Sequence, residues 1–300
     1  MPSSILTRGL VALALLVCAS LVHAETLKPF VLAYSKAGTD VSAELETLRE
    51  KLQGAGFRVL GEYPVTDDAQ VLVATSEALL AAAASTPRAA YIAPLRVAVT
   101  RVGGNLQVSY LNLEYFRHAY QLDTSLADAA ERLAARLGAS GTYGAEGLTP
   151  STLARYRYAF GMERFGDPYL LANHPDRRAA LAVLGASLEA GKGGVREVYR
   201  VDIPGQDATL IGVSIREDSG ADPDASDAFK LATVDVRDPR HTAYFPYEIL
   251  VRGGQVEALH MRFRMALHFP DLSMMGDNSF MQLRRSPAAV EQALKQAAEG

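Results

Sequence analysis

The sequence predicts an α+β protein made of two tandem copies of one unit, each running strand, helix, four strands, helix. Three observations carry this. "GFRVLGEYPVTDDAQVLVATS" (56–76) is answered by "GVREVYRVDIPGQDATLIGVS" (194–214). "AYIAPLRVAVTRVGGNLQVSYLNLEY" (90–115) is answered by "AYFPYEILVRGGQVEALHMRFRM" (243–265), each with two β-type runs around a Gly-Gly turn, a hairpin signal. Amphipathic helices precede the first pair and close each copy.

In the first copy "VSAELETLREKL" sets Val41, Leu45, Leu48 and Leu52 on one face, with Thr39 or Asp40 as cap and Gly54 or Gly56 as stop. "SEALLAAAAS" adds a short helix, and "LADAAERLAARL" aligns Leu126, Ala130, Leu133 and Leu137. In the second copy "RRAALAVLGASLEAG" aligns Leu181, Leu184 and Leu188, and the last helix opens at Ser286-Pro287 and buries Val290 and Leu294. The apolar runs "VLVAT" (71–75) and "TLIGVSI" (209–215) read as central strands covered for part of their length on both sides. The expected division is residues 1–24 as a signal peptide, 25–138 as the first copy, 139–168 as a connector and 169–300 as the second copy. The connector's Tyr156, Tyr158 and Phe160, with Phe165 and Tyr169, would be too much exposed apolar surface, so it is expected to pack against one or both domains.

"MPSSILTRGLVALALLVCASLVHA" has one positive charge, an apolar run too short to span a bilayer comfortably, and the small-x-small ending Val22-His23-Ala24. Cleavage is expected after Ala24. Cys18, the sole cysteine, would leave with the signal, so the product has no thiol for disulfide, nucleophile or metal. The net charge of −4 lacks the basic footprint of a nucleic-acid partner. No later run is long enough for a membrane helix. The expectation is a soluble periplasmic protein, the style of the signal being bacterial.

The order of elements, "GFRVLGEYPV" after its helix, the proline-led hairpin "FPYEILVRGGQV" and the C-terminal "FPDLSMMGDNSFM" resemble the bacterial family called domain of unknown function 302, in its longer two-copy exported form. The resemblance covers nearly the whole mature chain. It implies curved antiparallel sheets backed by helices, similar to the TATA-binding-protein-like arrangement, and it implies no activity and no catalytic residues.

"LHMRFRMALHFPDLSMMGDNSFM" (259–281) concentrates methionine and histidine and raises copper as a question. Read as a strand from Glu257 to Phe269, its odd positions are all apolar, which puts Met261 and Met265 in the core, while His260, Arg262, Arg264 and His268 form a cationic stripe on the other face. The matching strand of the first copy, aligned on its Gly-Gly turn, puts Tyr110, Asn112 and Glu114 at the positions of His260, Arg262 and Arg264, and a three-residue hairpin loop in the second copy would place Glu248 near His260 on the same face. These eight residues are the candidate ligand surface: a solvated or inter-copy polar face, or paired arginines that hold a carboxylate, phosphate or sulfate. The alternative is cuprous ion on Met274, Met275, Met281 and His268; otherwise no cofactor is expected.

The acidic stretch "REDSGADPDASDAF" lacks the order and distal Glu of an EF-hand and reads as a solvated insertion. His118, His174 and His241 are isolated, without zinc spacing, and no nucleophile elbow, P-loop or dinucleotide fingerprint occurs. The expected role is an exported binding or accessory protein without catalytic activity, for a small molecule, an anion or a periplasmic protein partner. Copper handling and an enzyme of unknown reaction are the alternatives.

Overall fold

A computed structural model describes residues 26–300. The segment expected to be a signal peptide, with Cys18, lies outside the described residues. The protein is α+β, with two antiparallel sheets and, among the described residues, nine α-helices. The first sheet contains β1 (Phe30–Ala37), β2 (Arg58–Thr66), β3 (Ala69–Thr75), β4 (Leu95–Val102), β5 (Asn105–Leu111) and β6 (Gly141–Tyr143), in the order β2-β3-β4-β5-β1-β6. The second contains β7 (Tyr169–Asn173), β8 (Val195–Asp202), β9 (Ala208–Ile215), β10 (Tyr247–Arg252) and β11 (Gln255–Ala258), in the order β7-β11-β10-β9-β8. With β6 set aside, both sheets place their half's strands in the order second, third, fourth, fifth, first. Both Gly-Gly turns close two-residue hairpins, Val102 opposite Asn105 and Arg252 opposite Gln255.

The helices follow their apolar faces. In α1 (Val41–Gly54) the Asp40 carboxylate caps the Ala43 N–H at 2.9 Å, and Val41, Leu45, Leu48 and Leu52 are buried. In α6 (Arg177–Ala190) Asp176 caps the start, left-handed Gly191 ends the helix, and Leu184 and Leu188 are buried while Leu181 is half-buried. The second half's last helix, α9 (Ser286–Glu299), buries Val290 and Leu294, although Ser286 makes no cap bond. The remaining helices are α2 (Glu77–Ala83), α3 (Leu113–Ala119), α4 (Ala127–Leu137), α5 (Pro150–Leu153), α7 (Asp227–Val234) and α8 (Met261–His268).

Three expectations are corrected. The strand read from Glu257 to Phe269 stops at Ala258, and Met261–His268 is the helix α8. Nothing in "MRFRMALH" is β-branched, His260 Nδ1 accepts the Arg262 N–H at 3.2 Å as an N-cap, and every residue from Phe263 to His268 is buried. A helix buried nearly all round has no polar face, so the alternation of the sequence could not tell it from a strand. The acidic stretch is not merely solvated: Ser226 caps α7, and Asp227 is buried against Lys230 at 2.8 Å. Of the connector's aromatics, Tyr156 and Phe165 are buried, but Phe160 is 95% exposed.

The connector packs on both halves: β6 pairs with β1, and Phe165 lies against the Tyr91 and Tyr120 rings at 6.4 and 5.2 Å. Tyr156 Oη donates to the Ala266 carbonyl at 2.9 Å, and Tyr169, at the start of β7, donates to that of Pro287 at 2.8 Å. The two halves share one continuous cluster of buried apolar side chains. β2 and β8 approach so closely that a Cβ on Gly61 would lie 2.4 Å from the Val198 carbonyl oxygen. Cross-bonds pin the junction: Tyr115 Oη to the Leu267 carbonyl at 2.7 Å, Thr100 to Thr242 at 2.7 Å, and Tyr63 to Asp227 at 2.7 Å.

Candidate functional site

The eight residues expected to share one polar face are dispersed to three places. Arg264, Glu248 and His268 lie inside the junction, where they meet Arg96 from β4. Arg264 is 1% exposed, and its guanidinium lies over the Tyr244 and Tyr247 rings at 4.2 and 4.6 Å. Glu248 Oε1 accepts from Arg96 Nη1 at 2.7 Å and Oε2 from Arg264 Nε at 3.3 Å. Burial opposes the charge on Arg264, but Glu248 and the surrounding tyrosines hold its pKa above the ordinary value.

His268, fully buried, receives Arg96 Nη2 at Nε2, 3.0 Å away, while its Nδ1 lies 2.7 Å from the Arg264 carbonyl. A guanidinium can only donate, so Nε2 accepts and Nδ1 carries the proton: the ring is the neutral tautomer. Burial first, and then the charges of Arg96 and Arg264, push His268 well below its ordinary pKa. The cluster spends its hydrogen-bonding capacity mainly on itself and on the Tyr244 and Pro246 carbonyls. It reads as a lock between halves, not as a ligand surface. Arg96 escaped the sequence reading, although a lone arginine in the apolar start of "LRVAVTRV" was a usable signal.

His260 and Arg262 lie elsewhere, nearer the surface. Both reach Glu163 Oε1 of the connector, at 3.3 and 3.1 Å, and His260 packs on Tyr169 with ring centroids 4.2 Å apart. The first-copy residues serve local structure. Tyr110 Oη donates to the Gly138 carbonyl at 3.0 Å. Asn112 caps α3 and donates to the Lys28 carbonyl at 2.9 Å. Glu114 pairs with Arg117 at 2.7 Å and accepts the Leu126 N–H at 2.6 Å.

The methionines are brought together instead. α8 is a helix, so Met261 and Met265 are four residues apart and share a face, which is turned toward the loop after it. Met261 and Met265 line one cavity of about 320 Å³ together with Met162, Met274 and Met281. The loop is held closed by Phe280 N–H to the Ser273 carbonyl at 3.0 Å and Met281 N–H to that of Met274 at 3.2 Å. Tyr158 and Phe280, edge to face at 4.8 Å, complete the apolar wall. Arg262 and Arg284 also line the cavity; Arg284 is exposed, and among the described residues it has no carboxylate partner. The copper set proposed from sequence is not assembled as such: His268 is buried at the junction, and Met275, 67% exposed, does not line the cavity. Among the described residues no three His, Cys, Asp or Glu are placed to hold a metal ion, and no helix is long and apolar enough to cross a membrane. The chain matches no protein-family model, no curated protein and no solved structure.

Proposed function

We propose that the protein is an exported, periplasmic binding protein whose ligand is a small amphipathic anion seated in the methionine cavity. One observation carries the reading: five of the chain's seven methionines converge on a single cavity that two arginines also line. Thioethers on unbranched stems give an adaptable apolar wall, the volume lies at the lower end of small-molecule sites, and a guanidinium without a carboxylate supplies the anion's counter-charge. The same thioethers support a second reading, cuprous ion, but the uncompensated Arg284 guanidinium opposes a cation there. We further propose that the two halves are copies of one TATA-binding-protein-like unit of the domain of unknown function 302 type. Support comes from the equal strand order of the two sheets and the two Gly-Gly hairpins at equivalent places.

The test is a fluorescence titration with 1-anilinonaphthalene-8-sulfonate, an arylsulfonate of the proposed chemistry. Saturable one-to-one binding is expected, weakened about tenfold or more by Arg284→Glu and by Met274→Glu, both at exposed positions. Unchanged affinity in both variants would remove the cavity from consideration. A cuprous titration that saturates at one ion and is tightened by Arg284→Glu would instead favour the metal.

A further inference from the structure

A second cavity, lined by residues just beyond α8's C-terminal end, contains a histidine of quite different standing from His268. His241 precedes a short turn at Thr242–Tyr244, and its ring is fixed by aromatic neighbours. It stacks on Phe269 at 4.7 Å and 26°, and it meets Phe30 edge-on at 4.9 Å and Tyr143 at 5.5 Å. Its Nδ1 is buried and faces Asp235 Oδ1 at 3.4 Å. Asp235 is itself buried and held in place: its Oδ1 accepts the His241 backbone N–H at 2.6 Å, and its Oδ2 accepts from Thr242 at 3.3 Å. A carboxylate on that side favours the proton on Nδ1 and leaves Nε2 as an acceptor.

Nε2 has no hydrogen bond among the described residues and is turned toward Gly144, where a Cβ would stand 3.1 Å from it and 2.8 Å from Phe30. Gly144, at φ +97°, supplies a backbone path there that a side chain would obstruct. Both residues line a cavity of about 310 Å³, whose apolar wall includes Val236, Phe269 and Leu272. Charged groups around it are Arg237, Asp238 and Asp271. Asp238 is engaged by Arg240 at 2.9 Å, and Asp271 accepts the Glu146 N–H at 2.6 Å. Arg237 is exposed and has no carboxylate partner among the described residues. The other titratable rings nearby are His268, which is neutral, and Tyr143, whose hydroxyl burial holds above its ordinary pKa.

We infer that this cavity is a second binding site, separate from the methionine cavity, for a small phenolic molecule whose hydroxyl docks on His241 Nε2 with its ring against the apolar wall. For an acidic phenol the O–H bond breaks and the proton moves to Nε2. The imidazolium is then balanced by Asp235, and the phenolate faces the imidazolium N–H and Arg237. No other reactant is required.

4-Nitrophenol tests this directly, because its phenolate absorbs where the phenol does not. Titrating it into the full protein below its solution pKa should produce saturable phenolate absorbance. Affinity should fall about tenfold or more in His241→Phe, which keeps a ring among rings, and in Arg237→Glu, at an exposed position. On saturation, the His241 Nε2 nitrogen resonance should move from the acceptor to the protonated position, a readout on the unaltered chain that does not depend on either variant folding. Absence of that movement, or unchanged affinity in either folded variant, overturns the assignment. Arylsulfonate binding at the methionine cavity should be indifferent to both substitutions.

Discussion

The helices α3 and α8 occupy the same place in the two halves, just after the fifth strand, and they solve burial in opposite ways. Counted from their caps, Asn112 and His260, Phe116 stands where Arg264 does and Tyr120 where His268 does. Counted from the glycine pairs, Ala98 stands where Glu248 does. The first half fills these positions with apolar and aromatic groups. The second buries a guanidinium, a carboxylate and a neutral imidazole, and Arg96, reaching across from the other sheet, donates to both the carboxylate and the imidazole. A buried aromatic is satisfied by any close-packed surroundings, whereas a buried ion requires one partner in one geometry. The charged helix therefore specifies how the halves dock, and the aromatic one supplies packing for it: Phe116 lies 4.7 Å from the His268 ring.

The contrast breaks most sharply at Glu248. Glu248→Ala leaves Arg96 and Arg264 buried without a carboxylate and is expected to cost about 3–5 kcal/mol by urea denaturation. Importing the first half's solution, as Arg96→Met, Glu248→Ala and Arg264→Phe together, should return stability to within about 1 kcal/mol of the parent. A triple variant as unstable as the single one would mean that the charges are not what the junction depends on.

Tyr63→Phe removes a hydrogen bond from the first half to the buried Asp227 carboxylate, which keeps the Ile215 N–H and Lys230. The expected loss is about 2 kcal/mol, and a double-mutant cycle with Glu248→Ala should be additive if the two inter-half links are independent.

The smallest effect is the pH dependence of His268. The folded chain keeps it neutral well below its ordinary pKa, while the unfolded chain takes up a proton near pH 6.5. Its contribution is therefore complete above about pH 6.5 and is lost as pH falls toward the folded value, at up to about 1.4 kcal/mol per pH unit. His268→Phe should flatten the urea midpoint between pH 7 and pH 5 relative to the parent. An unchanged slope would assign the acid sensitivity to other groups.

Much of the fold was legible along the chain. Apolar spacing located α1, α6 and α9, and the glycine pairs located both hairpins, because caps, turns and amphipathic faces are local properties. The candidate sites were not legible in the same way. Met261 and Met265 are separated from Met274 and Met281 by an alternation that a nearly buried helix also satisfies, and Met162 lies too far away in sequence to be associated with them. Arg96 and Glu248 are 152 residues apart, and nothing local indicates that their charges meet. His241 looks isolated along the chain: Asp235 is only six residues away, but the glycine-lined opening at Gly144 and the rings of Phe30 and Tyr143 come from segments that only folding brings beside it. The sequence by itself determined the amphipathic helices and the hairpins, because those depend on neighbours a few residues apart, but not the nearly buried helix α8. The tertiary structure alone decided which side chains are buried as ions, which thioethers converge and which histidine nitrogen stays open, because each depends on packing between elements distant along the chain.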